Sequence, residues 1–214
     1  MAIACVELKV LACTICDWEG AVGRFLFCTI VAVGLALAAR AVSASVPAAA
    51  TIAVCSISAW VNDTDPNGLN VRAGPSRDAA IIGRLPQDDD YFPPEVSITG
   101  TQDGWFRIDK AVLDDYTATQ RKVVFEGEGW ISGRLLGLLV NDPDLHTAPW
   151  AESPVVAHLF YQDSNGSVAG ADSFGVTRLI SCQGDWVQVE GTFIDAQLTG
   201  WATRTCSNQV TTCP

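Results

Sequence analysis

Residues 69–76 have the sequence Leu69-Asn-Val-Arg-Ala-Gly-Pro-Ser76, and the fold class follows from this stretch and three blocks after it. The blocks are Ala80-Ile-Ile-Gly-Arg-Leu85, Asp103-Gly-Trp-Phe106 and Gly129-Trp-Ile-Ser132. Short runs in which apolar and polar residues alternate are typical of β-strands, and Gly, Pro and Asp mark the turns between them. The sequence therefore predicts an all-β fold.

The same blocks return later in the chain. Four apolar or proline positions recur 74 residues further on: Val71, Pro75, Ile82 and Leu85 are followed by Leu145, Pro149, Val156 and Leu159. The tryptophan blocks recur at offsets of 81 (Trp105 and Trp186) and 71 (Trp130 and Trp201). Unequal offsets indicate that loops differ in length while strands correspond. A repeat of this kind predicts two copies of one structural unit.

We expect each copy to form a small barrel, with the apolar side chains of every strand facing inwards and the polar ones facing water. The first copy is assigned to residues 60–137 and the second to residues 138–214, after a linker of residues 45–59. A core of that size is only marginally stable, so a disulfide would help.

The four blocks of the first copy resemble the bacterial SH3 domain (SH3b). That family has a Leu-Asn-Val-Arg-x-Gly-Pro-Ser run, an Ile-Gly-x-Leu turn, a Gly-Trp pair and a closing Gly-Trp-Val, and all four occur in order between Gly68 and Leu136. The second copy keeps the tryptophan blocks but has Leu145-His-Thr-Ala-Pro149 at the signature, so it is a divergent copy. The resemblance implies two tandem SH3-like barrels.

Charge and composition exclude several classes of protein. The 214-residue chain has 13 Lys+Arg against 24 Asp+Glu, a net charge of -11. This acidity argues against nucleic acid and against an anionic lipid surface, because both are bound through clustered Lys and Arg. The apolar fraction of 49% excludes wholesale disorder. With only two histidines, we expect no metal and no cofactor.

Residues 1–44 are predicted to be a leader. The apolar run Phe25–Ala39 follows Arg24 and precedes small residues that offer cleavage sites after Ala44 or after Ala50, as in a secretory signal. A membrane span needs about 20 apolar residues, so export is favoured over anchoring. Acidic residues before the run are unusual for a signal, and a true start near Val22 would explain them. The mature protein is expected to be periplasmic or secreted.

Cleavage of the leader leaves four cysteines, an even number that favours full oxidation outside the cytoplasm. They are Cys55, Cys182, Cys206 and Cys213. Four cysteines allow three pairings, and the sequence selects none of them. The ring Cys206–Cys213, with Cys55–Cys182, is slightly favoured because its local closure is the easiest to form.

The candidate binding residues are aromatic or cationic. Arg72 could pair with a ligand carboxylate or with an acidic neighbour, and the local role is favoured. The tryptophans of the repeated blocks could stack on a ligand, although packing is the commoner role. The binding candidates are Arg72, Tyr91, Trp105, Trp130, Trp150 and Trp186. The structural candidates are Gly74, Pro75, Pro149 and Trp201, with Gly74 expected to supply a turn that other residues resist.

Two further patterns are assigned structural roles. Asp63-Thr-Asp-Pro-Asn-Gly68 matches the opening of a calcium loop, but loop position twelve is Gly74 where a bidentate Glu is needed, so an Asx-Pro turn is favoured. Cys182 with His146 or His158 is the only conceivable thiol–base pair. Without a visible nucleophile block, the chain is not expected to be an enzyme.

The favoured function is a non-catalytic, exported binding module of the cell envelope. The resemblance to SH3b implies recognition of peptidoglycan peptides or another wall component. The alternative is an acidic interaction or inhibitor protein for a basic partner such as a cationic wall hydrolase, which the net charge supports. A cell-wall hydrolase is the third and least favoured reading. The expected partner is a cell-wall peptide or an envelope protein, and the ligand and the oligomeric state stay open.

Overall fold

The computed structural model describes residues 51–87, 92–114, 121–207 and 209. These residues form β-strands and two single-turn 3-10 helices, Gly133–Leu135 and Ala171–Ser173, which confirms the predicted all-β class. The predicted leader lies outside the described residues. Over the part of the chain described here, no helix is both long and apolar enough to cross a membrane.

Seven antiparallel strands form the larger sheet. They are β1 (Ala53–Val61), β2 (Leu69–Arg72), β3 (Ile81–Leu85), β4 (Glu95–Gln102), β5 (Trp105–Asp114), β6 (Arg121–Ser132) and β7 (Leu136–Gly137). Their order in the sheet is β3-β2-β6-β5-β4-β1-β7. β1 begins inside the segment 45–59 that the sequence analysis treated as a linker. It is a strand because Cys55, Ile57 and Ala59 alternate with polar residues and face the core.

The later strands form a five-stranded sheet and two short pairs. The strands are β8 (Leu139–Val140), β9 (Asp144–His146), β10 (Val155–His158), β11 (Tyr161–Gln162), β12 (Val168–Ala169), β13 (Gly175–Gln183), β14 (Trp186–Phe193), β15 (Ala196–Ala202) and β16 (Thr205–Cys206). The five-stranded order is β10-β9-β15-β14-β13, while β11 pairs with β12 and β16 with β8.

The second sheet repeats the strand order β3-β2-β6-β5-β4 of the first. The registers also correspond. Arg72 pairs with Trp130 between β2 and β6, and His146 pairs with Trp201 between β9 and β15. His146 and Trp201 lie 74 and 71 residues after Arg72 and Trp130, and these are the offsets that relate the repeated blocks of the sequence.

One continuous hydrophobic core runs through both sheets. Phe106 and Ile131 of the first sheet belong to the same cluster of buried side chains as Leu179 and Val187 of the second. The sequence repeat predicted a separate core for each copy. At one point of contact, the turn at Gly133 approaches β13 so closely that a Cβ there would overlap the Leu179 carbonyl oxygen.

A disulfide joins the first strand to the second sheet. Cys55 of β1 is bonded to Cys182 of β13, with a Cα–Cα distance of 5.7 Å. Beside it, Ser56 N donates to Gly184 O at 2.7 Å and Gly184 N donates to Val54 O at 2.8 Å. The predicted Cys55–Cys182 pairing is therefore confirmed. Cys206 is also disulfide-bonded, and its predicted partner Cys213 lies outside the described residues.

Candidate functional site

Trp105 stands at the start of β5, directly after the tight turn that joins β4 to β5. Asp103 and Gly104 of this turn have φ angles of 52° and 76°. A two-residue hairpin turn needs this left-handed conformation, and the dipeptide Asp-Gly favours it. Thr101 Oγ1 donates to Trp105 O at 3.0 Å and closes the hairpin. The local sequence thereby holds a half-buried indole at the end of the hairpin.

Two clefts meet at Trp105. One, of about 420 Å³, extends towards the loop 63–68, and the other, of about 630 Å³, extends towards β13. We refer to the two clefts together as the Trp105 groove. Four lining residues are common to both clefts: Arg77, Trp105, Ser132 and Arg134.

The arginines of the Trp105 groove differ in their partners. Arg72 Nη1 donates to the carbonyl oxygen of Ala79 at 2.9 Å, and Arg178 forms an ion pair with Glu190. Arg77 and Arg134 are exposed, and within the described ranges no carboxylate lies within ion-pair distance of either. The groove therefore presents two guanidinium groups that are free to bind an anion.

The loop at one end of the groove is acidic. Asp65 accepts hydrogen bonds at 2.9 Å from the backbone N–H and the side-chain amide of Asn67, and these bonds lower its pKa. Asp63 accepts a hydrogen bond from Asp65 N at 3.1 Å. These contacts are those of an Asx turn, which the sequence analysis favoured over a calcium loop. Both carboxylates line the smaller cleft.

The structure brings together two of the predicted binding residues, Arg72 and Trp105. Trp130 is only 7% exposed, so its ring is packed inside the fold. Trp150 is 54% exposed on the β9–β10 loop, and Trp186 contacts His146 edge to face at 5.3 Å between ring centroids. Neither of them lines the Trp105 groove. Tyr91 lies outside the described residues.

The structural candidates are all partly buried, but one assignment is wrong. Gly74 does not have a positive φ, and a Cβ there would meet only Ala79 Cβ at 3.6 Å. Its turn is one that other residues can adopt. Pro75 lines the larger cleft, whereas Pro149 and Trp201 belong to the second half.

The binding candidates predicted from the sequence did not include Arg77 and Arg134. Arg77 follows the Gly-Pro-Ser turn, and Arg134 follows the closing tryptophan block, but neither belongs to a periodic pattern. Their shared position depends on how β2 and β6 pair, which no local signal gives. The proximity of each to a family motif is the one hint that the sequence contains.

A third cleft, of about 740 Å³, lies beside the disulfide and has a different chemical character. Three carboxylates line it, from Glu95, Asp109 and Asp185, together with Arg204 and several Ser and Thr side chains. We call it the acidic cleft. It suits a cationic group better than an anionic one.

The residues considered for thiol catalysis take part in a disulfide or in hydrogen bonds. Cys182 is fully buried and disulfide-bonded, so it has no thiolate to offer. His158 Nδ1 lies 2.6 Å from Asp144 Oδ1, and His146 Nδ1 lies 3.0 Å from Ser153 O. Among the residues that the structure describes, no three His, Cys, Asp or Glu side chains are grouped to hold a metal ion.

Residues 67–137 match the family model of the bacterial SH3 domain, which confirms the resemblance of the first copy. All four residues shared by the two clefts lie within the matched segment. The chain matches no curated protein and no solved structure at a significant level.

Proposed function

We propose that this protein is a non-catalytic, exported binding module of the cell envelope that recognises peptidoglycan peptides or another wall component. The observation that carries the proposal is the Trp105 groove, whose central residues Trp105, Arg77 and Arg134 belong to the segment that matches the bacterial SH3 domain. The groove combines a half-buried indole with two guanidinium groups that have no acidic partner among the described residues. A shallow groove bordered by loops suits an extended peptide.

The proposal includes a divergent second copy in residues 138–214, after a first copy in residues 60–137. The β2–β3 and β9–β10 pairs support it. Asn70 pairs with Arg84 in register and accepts a hydrogen bond from its Nε at 3.1 Å. At the offset of 74, Asp144 pairs with His158, and their side chains are 2.6 Å apart. The same cross-strand contact thus occurs with different residue types.

Binding is assigned to the first copy. Ala151 and Thr205 stand at offsets of 74 and 71 from Arg77 and Arg134, so the second copy lacks both guanidinium groups. In the second copy, the exposed indole of Trp150 is the side chain best suited to stack on a ligand.

Export is supported by the oxidised cysteines. The Cys55–Cys182 bond and the oxidised state of Cys206 fit an oxidising compartment, because cytosolic thiols are kept reduced. The predicted leader would deliver the chain to the periplasm or the exterior. A non-catalytic role agrees with the burial of Cys182 in a disulfide.

The acidic cleft favours one alternative, an inhibitor or interaction protein for a basic partner such as a cationic wall hydrolase. Three carboxylates in one cleft and a net charge of -11 would accelerate encounter with such a partner. This interaction would be strongly screened by salt.

Co-sedimentation of the mature chain with insoluble peptidoglycan tests the proposal. Capture on immobilised basic lysozyme, measured in parallel, tests the alternative. We expect sedimentation with peptidoglycan at about 0.15 M salt, where exposed charges more than about 8 Å apart are largely screened. Failure to sediment, together with lysozyme binding that salt abolishes, would replace the proposal with the alternative.

A further inference from the structure

We propose that the Trp105 groove binds a carboxylate of an extended peptide between Arg77 and Arg134, with the peptide lying across the indole of Trp105. This inference rests on the proposed function and specifies the chemistry of its ligand. It assigns the recognition to two residues that lie outside the family motifs.

The first support is the unpaired state of the two arginines. Three other arginines of the described residues, Arg107, Arg121 and Arg178, are ion-paired with carboxylates. In a chain with 24 acidic residues, such pairing is easily available to an exposed arginine. Arg77 and Arg134 instead line both clefts together with Trp105 and have no acidic partner in the described structure.

The second support is the match between guanidinium and carboxylate. The planar guanidinium presents paired N–H donors that fit the two oxygens of a carboxylate, and the charge makes these hydrogen bonds about twice as strong as neutral ones. Ser132 also lines both clefts, and a serine hydroxyl can donate or accept a hydrogen bond with a peptide group.

The walls of the groove favour a peptide over a polyanion. Apolar surface from Pro75, Leu135 and Ile180 borders the clefts, and it suits the aliphatic parts of a peptide. Asp63 and Asp65 line the smaller cleft and would repel a polymer with a phosphate on every unit. The same two carboxylates would attract an amino group of the ligand. A peptide with separate carboxylate and amino groups therefore fits the charge pattern.

Isothermal titration calorimetry with a defined peptide tests the inference. The probe is the synthetic tetrapeptide Ala-γ-Glu-Lys-Ala with two free carboxylates, compared with its doubly amidated analogue and with oligomeric glycerol phosphate. Arg77→Gln and Arg134→Gln should each weaken binding of the free acid by about tenfold, because each removes a charge-assisted contact. The double variant should lose measurable binding.

A matched control variant separates a general loss of positive charge from a loss of contacts in the Trp105 groove. Lys110→Gln removes the same unit of charge from an exposed position of β5 that lines neither cleft, and it should bind like the parent. Thermal melting of all variants should coincide with that of the parent, since both arginines are exposed.

Four results would overturn the inference: no saturable binding of the free acid, equal binding of the amidated peptide, tighter binding of glycerol phosphate, or unchanged peptide binding by the double variant. Peptidoglycan sedimentation tests the proposed function independently of the carboxylate site. A double variant that sediments like the parent refutes the carboxylate site and leaves the wall-binding function intact. A parent that binds the peptide but does not sediment refutes the function and retains the site.

Discussion

The Nδ1 atom of His146 lies 3.0 Å from the carbonyl oxygen of Ser153 and closes the loop between β9 and β10. At an offset of 74, Arg72 Nη1 donates to Ala79 O at 2.9 Å and closes the loop between β2 and β3. An imidazole and a guanidinium thus satisfy equivalent carbonyl groups, which a polar loop needs in order to stay ordered. This correspondence supports the proposal of a second copy, although the signature is lost there.

Replacing Arg72 by Ala should destabilise the β2–β3 loop. The half-buried Ala79 carbonyl loses a charge-assisted donor, for which we expect a loss of about 1–2 kcal/mol in the free energy of unfolding. Urea unfolding measures it, and hydrogen exchange at Ala73, whose N–H donates to Ala80 O, should accelerate. Arg84→Ala is the control, since its bond to Asn70 is exposed. Equal losses in the two variants would contradict the role given to Arg72.

Replacing Gly133 by Ala should disturb the packing between the two sheets. A Cβ there would overlap the Leu179 carbonyl oxygen and the ring of Phe106, and overpacking of this kind costs about 1–3 kcal/mol. Gly74→Ala serves as the control, because its Cβ would meet only Ala79 Cβ at 3.6 Å. Thermal melts should separate the two variants clearly. A Gly133→Ala protein as stable as the parent would show that the two sheets are packed loosely at this point.

Local patterns in the sequence predicted the all-β class, with Gly, Pro and Asp residues marking the turns between strands. These features depend on residues close together in the chain, such as the Asp103-Gly104 turn with two positive φ angles. The strand β1 was missed although Cys55, Ile57 and Ala59 alternate, because no turn signal or repeated block marks it.

The shared core and the free arginines could not be predicted in the same way. The sequence repeat predicted a separate core for each copy, whereas the close approach of Gly133 to Leu179 joins residues of the two proposed copies. That Arg77 and Arg134 have no acidic partner among the described residues depends on where each neighbouring carboxylate lies. Such information exists only in the folded arrangement.

Asp163 should make the loop 163–167 sensitive to acid. Its Oδ1 accepts the backbone N–H groups of Asn165 and Ser167, each at 2.8 Å, and these bonds lower its pKa. Because the folded-state pKa is the lower one, the stabilisation is present above the unfolded-state pKa and is lost as the pH falls through the folded-state value. A carboxyl titration by NMR should give Asp163 a pKa below the usual aspartate range. An unshifted pKa would mean that these hydrogen bonds do not persist in solution.

Replacing Cys55 and Cys182 together by Ser should strongly destabilise the protein. The bond links residues 127 positions apart, and in the chain-entropy model a loop of that length contributes about 5 kcal/mol by restricting the unfolded state. Urea unfolding of the double variant should show a loss of that order, and reductant should then remove only the smaller contribution of the Cys206 disulfide. Cys206→Ser should cost less, because its predicted partner closes only a short loop. The opposite ranking would argue against the Cys206–Cys213 prediction.

Trp130 and Trp105 should respond differently to replacement by Ala. Trp130 is 7% exposed, and truncation of a buried tryptophan costs about 3–5 kcal/mol, a large share of the stability of a small protein. Trp105 is only half-buried and lines both clefts, so its removal should cost less stability and weaken peptide binding as well.

Thermal melting and calorimetry with the free-acid tetrapeptide together decide between packing and binding roles for Trp105. Its indole is held at the end of a hairpin by the Asp103-Gly104 turn and by the Thr101 hydrogen bond to its carbonyl, neither of which involves the ring. Trp105→Phe should therefore keep the hairpin and restore most of the stability, while a smaller ring face restores binding only in part. If Trp105→Ala melts as low as Trp130→Ala and Trp105→Phe recovers both stability and affinity in full, the indole serves packing, and the peptide must lie elsewhere along the groove.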